Sequence, residues 1–353
     1  MNTNRGRKFL VVRTDRLGDL ILSLPVLTAL KEAHPGCHVT LLTSPPIAPI
    51  VNDYPDLDEV LVDEVEGQHH GITGWFRLVR SLRKRAFDAA VLLHPTLRLA
   101  LALAASVPQR VGTAYRAYSF LFTERVPVHR KAVPRHELDL NLDLVAPLAP
   151  RPSRVAFKIP KDPETEARVT GMLGTWLTSA HKLVVIHPGS GGSARDWPVE
   201  HFARLADRLS TELHAAVVIT GTAGERPLVD RLYELCRQKP LRLDGRTTLK
   251  ELAALVSMAD LVISNSTGPL HLAVAMGTEV VGLYCRMRAC GPERWGPYGR
   301  LDSVLTPEVE PCDHCTGAKC PHWDCMAAIS VDQAFALAAR KLAASHSRHR
   351  TSR

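Results

Sequence analysis

The chain has 353 residues, 45% of them apolar and 23% charged, a balance that builds folded domains, and its length suits two of them. Its net charge of +8 favours anionic partners, while aromatics at 5% are too scarce to furnish stacking platforms for single-stranded nucleic acid. No apolar run reaches the roughly 18 residues of a membrane span, and no apolar core precedes Phe9, so a cytoplasmic protein without a signal sequence is expected.

Residues 8–13 (K-F-L-V-V-R) form a first expected strand. The loop from Thr14 to Asp19 follows, then a helical pattern over 20–33 that Pro25 interrupts. Further strands are expected over 38–43, 60–62, 87–93 and 110–112, with helices over 74–85, 96–105 and 136–148. Residues 115–133 mix aromatics with arginines and read as an irregular exposed region. A proline-bearing connection, Ala149-Pro150-Arg151-Pro152 and on to Pro163, leads into the second half. There the alternation is clearer, with strands over 182–187, 216–220, 241–244, 261–264 and 280–283. The helices between them run over 164–180, 198–213, 225–238 and 249–258, and a last one follows at 331–344.

Strands alternating with helices imply parallel βαβ units, hence an α/β chain of two doubly wound domains with a cleft between them. The expected boundaries are 1–160 and 161–330, a C-terminal helix over 331–345 that crosses back to the first domain, and a basic tail over 346–353. Such sheets bind ligands beyond the carboxyl ends of their strands, where the Gly- and Ser-rich turns of this sequence fall.

The stretch A-D-L-V-I-S-N-S-T-G-P-L-H-L-A-V-A-M-G-T-E-V-V-G over 259–282 contains a buried strand, a turn of small polar residues and a helix carrying His271. Free backbone N–H groups and the positive end of the helix dipole make that turn a site for a phosphate or diphosphate. An ordinary Ser- or Thr-capped helix is the plainer alternative. Near the C-terminus, Cys312, Cys315, Cys320 and Cys325 are spaced C-x2-C-x4-C-x4-C, with His314 and His322 between them. The first pair fits the spacing of a structural zinc site, whereas the later spacings are tight for one; reduced thiols or a disulfide formed on purification are the alternatives.

Four segments, R-T-D-R-L-G-D-L-I-L-S-L-P (13–25), H-P-G-S-G-G-S-A-R-D-W-P-V-E-H-F (187–202), I-T-G-T-A-G-E (219–225) and S-N-S-T-G-P-L-H-L-A-V-A-M-G (264–277), occur in order along the chain. Together they resemble glycosyltransferase family 9, the heptosyltransferases of lipopolysaccharide core assembly. The resemblance implies the GT-B fold, inverting sugar transfer from a nucleotide-diphosphate donor, ADP-heptose foremost, and no catalytic metal or required cofactor. It places the catalytic carboxylate at Asp19, beside Gly18, to take the proton of an acceptor hydroxyl. Asp15 is the local competitor, and capping of the following helix is the structural alternative for Asp19.

Arg195 stands where the family carries a phosphate-binding Lys, and a guanidinium grips phosphate oxygens as well. Gly189, Ser190 and Gly191 are expected to wrap the diphosphate with backbone amides, together with Thr267 and Gly268 at the helix start. Ser266 and His271 are candidates for the donor sugar; Ser266 departs from the Asp usual there, which leaves the sugar open between heptose and another hexose-like unit. Glu225, Thr247 and Thr248 are nucleoside candidates, the threonines doubling as helix caps. Arg110 and Arg116 are candidates for an anionic, lipid-linked glycan acceptor, with Arg125 and Arg135 in the same half. A monomer working against the inner face of the inner membrane, without nucleic acid, is the expected setting. Asp56-Leu57-Asp58 matches a metal-binding D-x-D and is taken as chance. The competing readings are a nucleotide-sugar epimerase on the same fold and a basic nucleic-acid binder with a four-cysteine zinc module.

Overall fold

The computed structural model describes residues 6–130, 135–177, 182–313 and 324–350, the side chains of 345–350 excepted. It divides into two compact units, Met1–Pro160 and Lys161–Arg353.

The first unit holds strands β1 (Lys8–Val12), β2 (His38–Thr43), β3 (Glu59–Val62), β4 (Ala89–Leu92), β5 (Gln109–Thr113) and β6 (Glu124–Val126). Helices α1 (Leu17–Ile21), α2 (Leu24–Ala33), α3 (Gly71–Arg85), α4 (Leu97–Ser106) and α5 (Glu137–Val145) connect or follow them. The sheet runs β3-β2-β1-β4-β5-β6, every pair parallel. Chain order therefore reverses between β1 and β4, which opens a crevice at their carboxyl ends.

The second unit repeats the plan. Its strands are β7 (Leu183–His187), β8 (Ala216–Ile219), β9 (Leu241–Arg242), β10 (Leu261–Asn265), β11 (Glu279–Leu283) and β12 (Val304–Leu305), in the order β12-β11-β10-β7-β8-β9. Around them lie α6 (Pro163–Leu173), α7 (Val199–Glu212), α8 (Arg226–Leu235), α9 (Leu249–Met258), α10 (Gly268–Ala275), α11 (Pro292–Trp295) and α12 (Val331–Arg350). Here the reversal falls between β7 and β10. Strands β7, β10 and β11 are buried along their whole length, as strands covered on both faces must be, and this explains their unbroken apolar runs. Helix α7 buries Phe202, Ala203, Leu205, Ala206 and Leu209, a single apolar stripe, against that sheet. Helix α12 packs on α7, β10 and β11 of its own unit.

Two expectations change. The helix expected over 20–33 is two helices, α1 and α2, with Pro25 inside the first turn of the second, where its missing N–H costs nothing. Strands β6 and β12 come as additions; they are only two or three residues long, too short for any pattern to announce. The D-x-D pair is consumed in the fold: Asp56 accepts from Thr28 and Lys158, and Asp58 from Lys31 and the Val39 amide. Among the described residues no helix is long and apolar enough to cross a membrane.

Candidate active site

At the β1/β4 reversal, β1 delivers Arg13 and β4 delivers His94 into one charged cluster. The Arg13 side chain is 3% exposed and holds both nearby carboxylates, Asp19 and, at 2.7 Å, Asp15. Its remaining donors reach Glu137 at 3.4 Å and the Asn141 side-chain carbonyl at 3.3 Å, both on α5. Arg130 donates to the same two acceptors. The other Asp15 oxygen lies 2.9 Å from Nδ1 of His94. A buried guanidinium is tolerable only with such a set of partners.

Helix α1 begins at Leu17 with Arg16 as its N-cap, so Asp19 sits inside the first turn and is not the cap of a helix at Leu20. Its side chain is 16% exposed, enough to be reached from outside. Burial pushes the Asp19 carboxyl up, Arg13 opposes, and the neighbouring Asp15 and Glu137 add to the rise, leaving it at about 6. For Asp15 burial also pushes upward, but Arg13 and His94 together outweigh it and hold the group below the ordinary carboxylate range.

At the β7/β10 reversal of the second unit, the loop Pro188–Trp197 meets the turn Asn265–Gly268. Buried Asn265 ties them together: its carbonyl accepts the Trp197 amide at 3.0 Å, and its NH2 donates to the Pro188 carbonyl at 2.5 Å and to Asp196 at 3.2 Å. Ser193 Oγ adds a bond to the Ser266 carbonyl at 3.0 Å. The loop needs its glycines. A Cβ on Gly189 would stand 2.0 Å from Glu225 Oε1, and Gly191 and Gly192 take φ of +55° and +73°, which L side chains rarely adopt.

The loop that carries Gly189, Ser190, Gly191 and Arg195 is thus tied to the turn that carries Thr267 and Gly268. The Ser190 hydroxyl bonds the Ala194 carbonyl within its own loop. Thr267 is the N-cap of α10, its side chain making no capping bond to the helix amides, and Pro269 lies in the first turn. The half-buried Arg195 uses its backbone amide on Cys285 Sγ, itself 3.4 Å from Cys290 Sγ.

Several candidates are engaged elsewhere. Glu225 takes the Thr222 amide and hydroxyl at 2.8 and 2.9 Å as a capping box, and the Gly191 amide as well. Burial raises its carboxyl, but those donors and His187 bring it below the usual range. It holds the glycine loop through the Gly191 amide. Thr248 caps α9 through a capping box with Glu251, while Thr247 is half-buried beside it. His271, the other sugar candidate, is 4% exposed and meets Trp295 edge-to-face at 6.4 Å. The buried Ser266 hydroxyl bonds that of Tyr284, which donates to the Trp295 carbonyl.

Arg110 spends its guanidinium on the carbonyls of Val107, Pro108 and Leu121, bracing its own loops instead of facing an acceptor. Arg135 pairs with Asp143, and Arg116 and Arg125 are exposed. Of the cysteine cluster, Cys312 and Cys325 are half-buried, whereas Cys315 and Cys320 lie outside the described residues.

Arg13, His94, Glu137, Asn141 and Asn265 are site residues that sequence reasoning passed over. A signal existed for one: an arginine closing an apolar strand and followed by two aspartates marks a buried charge cluster.

The glycosyltransferase family 9 (heptosyltransferase) model matches residues 75–324, more than half the chain. The lipopolysaccharide core heptosyltransferase OpsX of Haemophilus influenzae is 25% identical over 315 residues, 86% of this chain and 85% of that protein. In solved structures, the fold matches a glycosyl transferase family 9 protein from Veillonella parvula with a TM-score of 0.83 at 24% identity, over 97% of this chain and 98% of that one. It also matches the Escherichia coli ADP-heptose lps heptosyltransferase II with a TM-score of 0.78 at 18% identity, over 96% and 99% of the two chains.

Proposed function

The chain belongs to glycosyltransferase family 9 and is a glycosyltransferase; from that premise we propose that it moves a heptose from ADP-heptose to an acceptor hydroxyl of the lipopolysaccharide inner core, with inversion and without a catalytic metal. Asp19 takes the acceptor's proton as that oxygen attacks the anomeric carbon, and the bond to the diphosphate breaks on the opposite face. The observation that carries this is the Arg13 cluster, which holds at the sheet's reversal one carboxylate that is partly exposed and has a pKa near neutrality, at about 6. The departing ADP is bound by the amides of Gly189 and Ser190, by the start of α10 and by Arg195, groups that neutralise the charge of a diphosphate, while the Gly191 amide stays on Glu225 and holds the loop in shape. The choice of ADP and heptose is supported by the ADP-heptose enzyme with the same fold and by the core heptosyltransferase relative. The lipid-linked acceptor implies work at the inner face of the membrane, in keeping with the net charge of +8.

The test is a thermal-shift comparison of ADP-, UDP- and GDP-sugars, followed by ADP release with and without a lipid-linked core acceptor. Selective stabilisation by ADP compounds and acceptor-dependent ADP release are expected. Preference for another nucleotide, or turnover of the donor without any acceptor, overturns the assignment.

A further inference from the structure

In the first unit, at the far side of β3 from the Arg13 cluster in sequence, α3 and α4 leave a cavity of about 660 Å³ open to solvent, lined by Val65, Ile72, Trp75, Phe76, Leu97 and Leu101 among others. Ile72 is 74% exposed, Phe76 59%, Leu97 50%, Val65 47% and Leu101 42%, five of the nine most exposed large apolar side chains among the described residues. Singly such residues are ordinary; gathered around one groove they mark a surface that something covers. The floor is fixed. Arg98 reaches both oxygens of buried Asp63 at 2.6 and 3.1 Å, His69 lies 3.1 Å from the same carboxylate, and the Trp75 indole N–H donates to the Arg98 carbonyl.

Helix α3 says what covers it. Its sequence G-I-T-G-W-F-R-L-V-R-S-L-R-K-R contains five cationic residues and no acidic one. Gly74, Leu78, Val79 and Leu82 face the core. Ile72, Phe76, Arg80 and Lys84, four residues apart and all exposed, run as one stripe along the outer face. That stripe is apolar at its first end and cationic at its last. Arg77 and Arg83 donate only to backbone carbonyls, so their charge is not neutralised, and only Arg85 is spent on a carboxylate, Glu59. Glu64 and Glu66 flank Val65 in sequence and Glu59 answers Arg85, so at its last two turns α3 presents Arg80, Arg83 and Lys84, all exposed, against that one paired carboxylate.

We infer that this α3/α4 surface docks on an anionic lipid bilayer, with Ile72, Phe76, Leu97 and Leu101 entering the acyl boundary and Arg80 and Lys84 meeting headgroup phosphates. Charge complementarity selects the bilayer over a second copy of the chain, which would set one cationic helix against another. The inference rests on the proposed lipid-linked acceptor, since such an enzyme needs a way to hold the surface where its acceptor lies.

The test uses the full chain in flotation with vesicles of phosphatidylcholine alone and of phosphatidylcholine mixed equally with phosphatidylglycerol. Binding to the anionic vesicles only, weakening with added salt, is expected. Ile72→Ser/Phe76→Ser and Arg80→Gln/Lys84→Gln each lower that binding by about tenfold or more while melting as the parent does. The inference is overturned if the parent does not float, if both double variants bind like it, or if the parent is a dimer that Phe76→Ser splits. An acidic protein that competes with vesicles only in the parent would confirm the same surface's charge preference, whereas one that binds where vesicles do not would overturn the bilayer as occupant. Sugar transfer separates this from the functional reading: to a deacylated soluble acceptor the Ile72→Ser/Phe76→Ser protein equals the parent, and to a vesicle-embedded one it falls. A parent that transfers to neither acceptor defeats the heptosyltransferase reading, while the flotation result still decides the surface.

Discussion

Asp15 and Asp19 share the guanidinium of Arg13 yet are driven in opposite directions, Asp15 below the carboxylate range and Asp19 up to about 6. The second partner decides it. Asp15 also has His94 at 2.9 Å, whereas Asp19 has only the shared cation and the repulsion of Asp15 and Glu137. One stays ionised and holds the cluster; the other, the proposed base, is poised near neutrality. Transfer is therefore expected to rise with pH through about 6 and to level off above it, as Asp19 loses its proton. Asp19→Asn lowers kcat by about 10²–10⁴-fold with little change in donor KM. Asp15→Asn removes a like charge, so the acid limb of the profile moves to lower pH. A profile that stays in place in Asp15→Asn would refute the coupling.

The same raised group destabilises the fold in its ionised form. Between the ordinary Asp value of 3.8 and about 6 the folded protein binds more protons at Asp19 than the unfolded chain, so this contribution to stability falls as pH rises across that window. Asp15, being depressed, works the other way: its contribution is present above its unfolded value and is lost as pH falls through the folded one. Asp19→Asn relieves the first penalty, of the order of 3 kcal/mol, and leaves Arg13 with Asp15 and Glu137. The variant is thus expected to melt above the parent at pH 8 and to lose that advantage near pH 4. Thermal denaturation across pH checks it, and a lower melting temperature at pH 8 would contradict it.

Gly189 and Glu225 are a matched pair, because the glycine leaves the space that the carboxylate fills. Gly189→Ala would put a methyl group 2.0 Å from Glu225 Oε1, and either the carboxylate leaves its bonds to Thr222 and Gly191 or the glycine loop shifts; both loosen the loop. Donor KM is expected to rise by about tenfold or more, with a smaller effect on kcat, as lost amide contacts to a diphosphate would give. Glu225→Ala alone loosens the loop through loss of its bonds to Thr222 and Gly191. In the double variant the clash is gone, so donor KM lies below that of Gly189→Ala. Equal values for the single and double variants would show that the clash is not the cause.

Most of the architecture was legible because parallel strands covered on both faces read as unbroken apolar runs, and the small-residue turns after β7 and β10 fall, as expected, at the reversal of the second sheet. What escaped was anything set by contacts distant in sequence. Glu137 and Asn141 sit in a helix whose pattern looks merely amphipathic, and only the fold brings them to Arg13, more than a hundred residues away. Arg110 and Glu225 show the converse. A charged residue beside a loop is a fair ligand candidate until the structure shows the carbonyls or amides that already occupy it. Ser266 and His271 fall on the right turn and helix, but a period of 3.6 residues cannot say which side chain points inward at the first turn.

Asn265 is the strongest case of a residue whose importance is invisible until its partners are seen. It is fully buried, and its amide answers the Trp197 N–H, the Pro188 carbonyl and Asp196 at once. Truncation to Ala would strand a buried donor and a buried acceptor at the two ends of the loop, a cost of about 2–4 kcal/mol. Asn265→Asp is expected to cost at least as much, although it keeps the shape and the bond from Trp197. It turns the NH2 that faces two oxygens into a third oxygen, in a place where a charge has no partner. Urea unfolding of the two variants measures this, and ADP protection measures its consequence, since a loop no longer tied to β10 presents its amides less well. If Asn265→Asp were as stable as the parent, the Pro188 and Asp196 bonds would not be what fixes the loop, and the proposed diphosphate grip would need another source of preorganisation.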